Sequence, residues 1–191
     1  MDCVDTGDNV AFIQTQPIDG PHGAVAVLKV SSADDHSKDS HQCNADFQLL
    51  FTPGGTDAPL VVDLPTTDGD YKRTLSLRLH GFSQDGKRVF GVLSERGSFP
   101  STTLFAYDTQ SGKVSLTDLT KQFAHIVTPK CGTTFDVIGT AATDAVVLEL
   151  HSEKQCAPSA RWLLDFTRSG VERLPRGAPI MNLYELKING P

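Results

Sequence analysis

The chain has 191 residues, 39% of them hydrophobic and 21% charged, with a formal net charge of −6. That apolar content excludes wholesale disorder, and no apolar run reaches the roughly 20 residues that a membrane-spanning helix needs. Acidic and basic residues are mixed along the chain, which argues against a nucleic-acid surface, and the length suits a single domain with one core. The amino terminus, MDCVDTGDN, has neither a basic nor an apolar segment. No signal peptide is present as written, and the expectation is that a leader has been replaced by an initiator Met.

In chain order, the first strand signal is AVAVLKV at 24–30, short, β-branched and read as buried on both faces or nearly so. The polar stretch 31–44, SSADDHSKDSHQCN, reads as the longest loop. FQLLFTPG at 47–54 is a strand running into a glycine turn. LSLRL at 75–79 alternates apolar and polar with period two, the mark of a strand with one wet face. RVFGVL at 88–93 and FAYDTQSG at 105–112 form the next strand pair. Residues 115–123 are the best helical candidate, because Asp118 and Lys121 can support one turn, but they read as strand followed by loop. TFDVI at 134–138, AVVLEL at 145–150, LLDFTRSG at 163–170 and a terminal strand over 180–188 complete the series.

The turn glycines Gly54, Gly112 and Gly170 are spaced by 58 residues both times, and Gly81 and Gly139 precede the following strands at matching distances. A tight hairpin needs a positive φ that only glycine adopts without a Cβ penalty. The chain is therefore read as all-β, with about three four-stranded antiparallel units of roughly 58 residues, approximately 1–66, 67–121 and 122–191.

The second unit carries a more specific pattern. It runs Ser83-Gln-Asp85-Gly86-Lys87, an apolar strand, a second strand ending in Asp108, a turn at Gly112 and a Leu-Thr-Asp-Leu119 end. This resembles a blade of the TolB-like (WD40-like) β-propeller repeat over about a fifth of the chain, and the flanking units fit it loosely. The resemblance implies a propeller-like arrangement of the units and a role in protein contacts. Closed propellers have four to eight blades. Three units therefore leave open a fragment of a larger propeller, a homo-oligomer that completes the ring, or a β-sandwich or open β array of the same strands.

Four cysteines, Cys3, Cys43, Cys131 and Cys156, lie in stretches read as loop or strand edge. An even number in such places points to disulfides and hence to a periplasmic or secreted protein. Four cysteines permit three connectivities, and equivalent places in units one and three favour Cys3–Cys43 and Cys131–Cys156. Each such bond closes a loop of about 25 to 40 residues and contributes about 3 kcal/mol.

No catalytic motif stands out. Asp34, His36, Asp39 and His41 have metal-like composition without a defined ligand spacing, so no metal site is expected. The Gly-x-Ser-x-Gly elbow is absent, and no recognisable triad motif includes any of the six histidines. Asp63, Asp68 and Asp70 cluster near a turn, where Asp serves backbone hydrogen bonds. The glycines of 20–23 and 53–55 lack the context of a phosphate loop. Phe105, Tyr107, Trp162 and Tyr184 are read as core rather than as a binding face, and Arg78, His80, Glu95 and Arg96 as wet-face residues. No cofactor is expected. The expected function is that of a non-enzymatic extracytoplasmic binding or scaffold module engaging a protein, peptide or glycan ligand. The alternative is an accessory propeller-like domain of a secreted hydrolase or peptidase.

Overall fold

The computed structural model describes residues 11–35, 42–64, 74–96, 101–127, 133–142, 145–152, 160–166 and 170–184. These residues form three antiparallel sheets, each from consecutive strands. Sheet one contains β1 (Ala11–Gln14), β2 (Ile18–Asp19), β3 (Val25–Asp35), β4 (Gln42–Thr52) and β5 (Leu60–Leu64). Its order is β1-β3-β4-β5, with β2 also paired to β3. Sheet two is the meander β6 (Thr74–Phe82), β7 (Arg88–Arg96), β8 (Ser101–Asp108) and β9 (Val114–Asp118), followed by one helical turn, α1 (Leu119–Gln122). Sheet three holds β10 (Thr133–Ala142), β11 (Ala145–Ser152), β12 (Ala160–Asp165), β13 (Val171–Arg173) and β14 (Met181–Asn182), in the order β13-β12-β11-β10-β14. The chain is all-β, as its sequence indicated. Among the described residues the three sheets close no ring.

The sheets stack face to face, and the pleat of the middle one explains how. Along β7 and β8, Val89, Leu93, Phe105 and Tyr107 enter a core shared with sheet one. Their neighbours Phe90, Val92, Leu104 and Ala106 enter a second core shared with sheet three. Successive side chains of a strand point to opposite faces, so a sheet sandwiched between two others reads as an unbroken apolar run. Each fully buried Phe or Leu stabilises by about 2 to 3 kcal/mol. Gly91 sits where a Cβ would lie 2.4 Å from the Phe105 ring, so close packing of the two strands depends on its missing side chain.

Several expectations need correction. Residues 31–35 and 42–44 are strand rather than loop, because β3 and β4 stay paired as far as Asp35 opposite Gln42. Backbone pairing is indifferent to side-chain polarity, and the apolar alternation that signals a strand is missing there. Strand 24–30 is buried on one face only, with Ala26 and Leu28 buried and Val25, Val27 and Lys29 half-buried, because sheet one is the end of the stack. Leu119–Gln122 is a helical turn, with the Asp118 carboxylate as N-cap accepting from the Lys121 N–H. Gly54 does not carry the left-handed turn of unit one. Gly55 does, at φ +81, and a Cβ on Gly54 would lie 2.0 Å from the His22 carbonyl oxygen.

The spacing of 58 is structural between units two and three. Gly81 and Gly139 each follow a β-bulge in the first strand of their unit, at His80 and Ile138. Both receive the chain's last described segment: Met181 and Ile180 press on Gly139, and Leu183 lies beside Gly81. The Tyr184 N–H donates to the Phe82 carbonyl, and the Gln84 side-chain amide to the Leu183 carbonyl.

Cys3, Cys131 and Cys156 lie outside the described residues, and Cys43 stands in β4 opposite Asp34.

Candidate functional site

The residues that carry the propeller resemblance build turns. The Ser83 hydroxyl donates to the Asp85 carboxylate and accepts the Arg88 N–H, while Asp85 also accepts the Lys87 N–H. Burial pushes the Asp85 carboxyl up, but these donors and the Lys87 charge outweigh it and hold the group below its usual range. Asp108 accepts the N–H groups of Gln110 and Ser111 across the next hairpin. None of this leaves a group presented to a ligand.

A charged row crosses from sheet two to sheet three. Arg78 of β6 donates to the carboxylate of Asp136 in β10, and these two positions are 58 residues apart, equivalent places in units two and three. The other Asp136 oxygen lies 3.3 Å from His151 Nε2. His151 is also 3.9 Å from the Glu149 carboxylate, whose second oxygen is 4.0 Å from Arg161 Nε. Asp136, Glu149 and Arg161 are direct cross-strand partners on β10, β11 and β12, so the sheet's period places them side by side. Their face is opposite the one that buries Phe135, Leu148 and Leu164.

His80 was read as an ordinary wet-face residue, and the structure corrects this. As the extra residue of a bulge it turns inward, and its Nε2 is buried without a hydrogen-bond partner. Burial, and secondarily the Arg78 charge, lower its pKa to about 4 against the opposing pull of Asp136, so the ring is neutral at pH 7.

The row ends at a concave pocket of about 450 Å³. Glu149, Ala160, Arg161, Arg173, Leu174, Pro175, Arg176, Gly177, Ala178 and Ile180 line it. Among the described residues, three arginines against one glutamate make the lining positive by two charges. Arg161 comes from β12 and Arg173 from the end of β13, held by the Leu174 N–H donating to the Arg161 carbonyl. Arg176 is placed by a turn in which the Ala178 N–H donates to the Pro175 carbonyl and Gly177 takes φ +82. Among the described residues no carboxylate pairs with Arg173 or Arg176. A planar guanidinium with a free fork matches a carboxylate or phosphate in two parallel hydrogen bonds.

The arginines were not among the sequence candidates. Their signal was local: four of the chain's eight arginines fall between residues 161 and 176, a fact that the acidic total conceals. Of the other candidates, Phe105 and Tyr107 are buried core, Trp162 packs edge-on against Phe123 with centroids 5.5 Å apart, and Tyr184 is partly buried. Asp63 accepts from the Gln48 side chain. His36, Asp39, His41, Asp68 and Asp70 lie outside the described residues, and no group of metal-binding side chains forms among those described. No helix among the described residues is long and apolar enough to cross a membrane.

No protein family, curated protein or solved structure matches this chain.

Proposed function

We propose that this chain is a non-enzymatic binding module that captures an acidic peptide segment at the arginine pocket of its third unit. One observation carries the reading: Arg161, Arg173 and Arg176 all border one concavity of a chain whose net charge is −6. Carboxylate is the chemistry that such a set recognises best, each charge-assisted hydrogen bond contributing about 1.5 to 3 kcal/mol. Peptide is favoured over glycan because sugar recognition relies on aromatic platforms and, among the described residues, no aromatic side chain lines this pocket. Leu174, Pro175, Ala178 and Ile180 supply the apolar wall against which a peptide backbone can lie.

Fluorescence anisotropy with a labelled hexaglutamate peptide tests this. Binding is expected to weaken with salt, and by about tenfold for each of Arg173→Ala and Arg176→Ala. Equal affinity for the double variant and the parent chain would reject the site.

A further inference from the structure

We infer that the outer face of sheet one is a docking surface for a second copy of this chain, the two copies packing face to face about a two-fold axis parallel to β4. The stack has two ends and they differ. At one end, sheet three turns its charged row and the arginine pocket outward, with residues 174–180 folded beside them. At the other, sheet one turns outward a row of directly paired apolar residues, Val27 of β3, Leu50 of β4 and Val61 of β5. Val61 is 59% exposed, although its β-branched chain is suited to a buried pleat.

The neighbouring row on the same face selects the occupant. It consists of Lys29, Gln48 and Asp63, again directly paired across the same three strands, with the cation on β3 and the anion on β5. Rotation by two-fold symmetry about an axis along the central strand lays β3 of one copy over β5 of the other. Val27 then meets Val61, Leu50 meets its own counterpart, and Lys29 meets Asp63 of the second copy, twice. An isologous interface requires such self-complementarity, whereas an unrelated partner gives no reason for the charges to fall in that order. The sheets then pack about 10 Å apart, as β-sandwich layers do. The product is a stack of six sheets with one new seam, and it leaves both arginine pockets at the outer ends.

Sedimentation equilibrium of the full chain from about 1 to about 200 µM tests the inference. The average mass is expected to climb from 20.6 kDa toward twice that value. Val61→Glu should hold the single-chain mass throughout. Lys29→Glu and Asp63→Lys should each weaken association about tenfold, and the double reversal should restore it to within about threefold of the parent. An unchanged near-UV spectrum establishes that each variant is folded, and if Val61→Glu is not, the charge reversals carry the test. A parent chain of single mass at every concentration would overturn the inference, as would a double reversal no stronger than the single ones.

Discussion

The seam between sheets one and two and the seam between sheets two and three use the same middle strands, yet they are finished differently. The first is apolar and aromatic: the Phe51 ring lies 6.3 Å from that of Phe82 and 5.4 Å from that of Tyr107, centroid to centroid. Gly20 offers its bare backbone to the Phe82 ring, where a Cβ would stand 2.8 Å away. The second seam has an apolar interior of similar make, with Phe123 and Phe135 at 4.8 Å, but a polar edge where Arg78 meets Asp136 and His80 is buried beside them. Hydrophobic contact is non-directional and holds two sheets together in many registers. A charge pair and a strap across two bulge glycines are directional, and they belong to the seam nearest the pocket. An exposed ion pair contributes at most about 1 kcal/mol, so its role there is registry rather than strength.

Truncating the first seam should have the largest effect. Phe82→Ala removes a fully buried ring and is expected to cost about 3 to 5 kcal/mol in urea unfolding. It should leave hexaglutamate affinity at sheet three within about twofold at concentrations where the chain remains folded. Joint loss of both would show that the two seams are not separable.

Gly139→Ala addresses the second seam with a smaller effect. Its Cβ would meet the Met181 carbonyl oxygen at 2.3 Å, so the last segment must shift. A cost of about 1 to 3 kcal/mol is expected, together with faster hydrogen exchange at the Tyr184 amide, which is bonded to the Phe82 carbonyl in the parent. Undiminished protection of that amide would contradict the strap.

Acid, between pH 7 and about pH 4.5, should produce a change of similar or smaller size, chiefly at the polar edge. His80 titrates near 4 in the folded chain and near 6.5 when unfolded, so the unfolded chain takes up its proton first as pH falls. Its contribution is whole above about pH 6.5 and is lost progressively down to about pH 4, by an amount on the order of 2 kcal/mol. Unfolding free energies at pH 7 and about pH 4.5 should therefore converge in His80→Leu relative to the parent. An unaltered pH slope would remove His80 from the account.

Much of this fold was legible in the residues. Strand-length apolar runs, turn glycines and a repeat of 58 define local geometry, because period-two alternation and positive φ are consequences of one chain segment. Of the apolar runs, 88–93 belongs to a sheet covered on both sides, whereas 24–30 lies at the end of the stack. The hairpin arms at 31–35 and 42–44 were illegible because backbone pairing leaves no mark on polar side chains. His80 was misread because a bulge inverts the pleat without changing composition.

What the sequence determined by itself was therefore the all-β class, most of the strands and the turn glycines of the second and third sheets. Tertiary structure alone decided that Arg78 pairs with its repeat equivalent Asp136, that Arg161, Arg173 and Arg176 share one concavity, and that Val27, Leu50 and Val61 form a row. Those juxtapositions depend on register across strands and on which sheet face is left at the end of a stack, and neither is a property of any single stretch of chain.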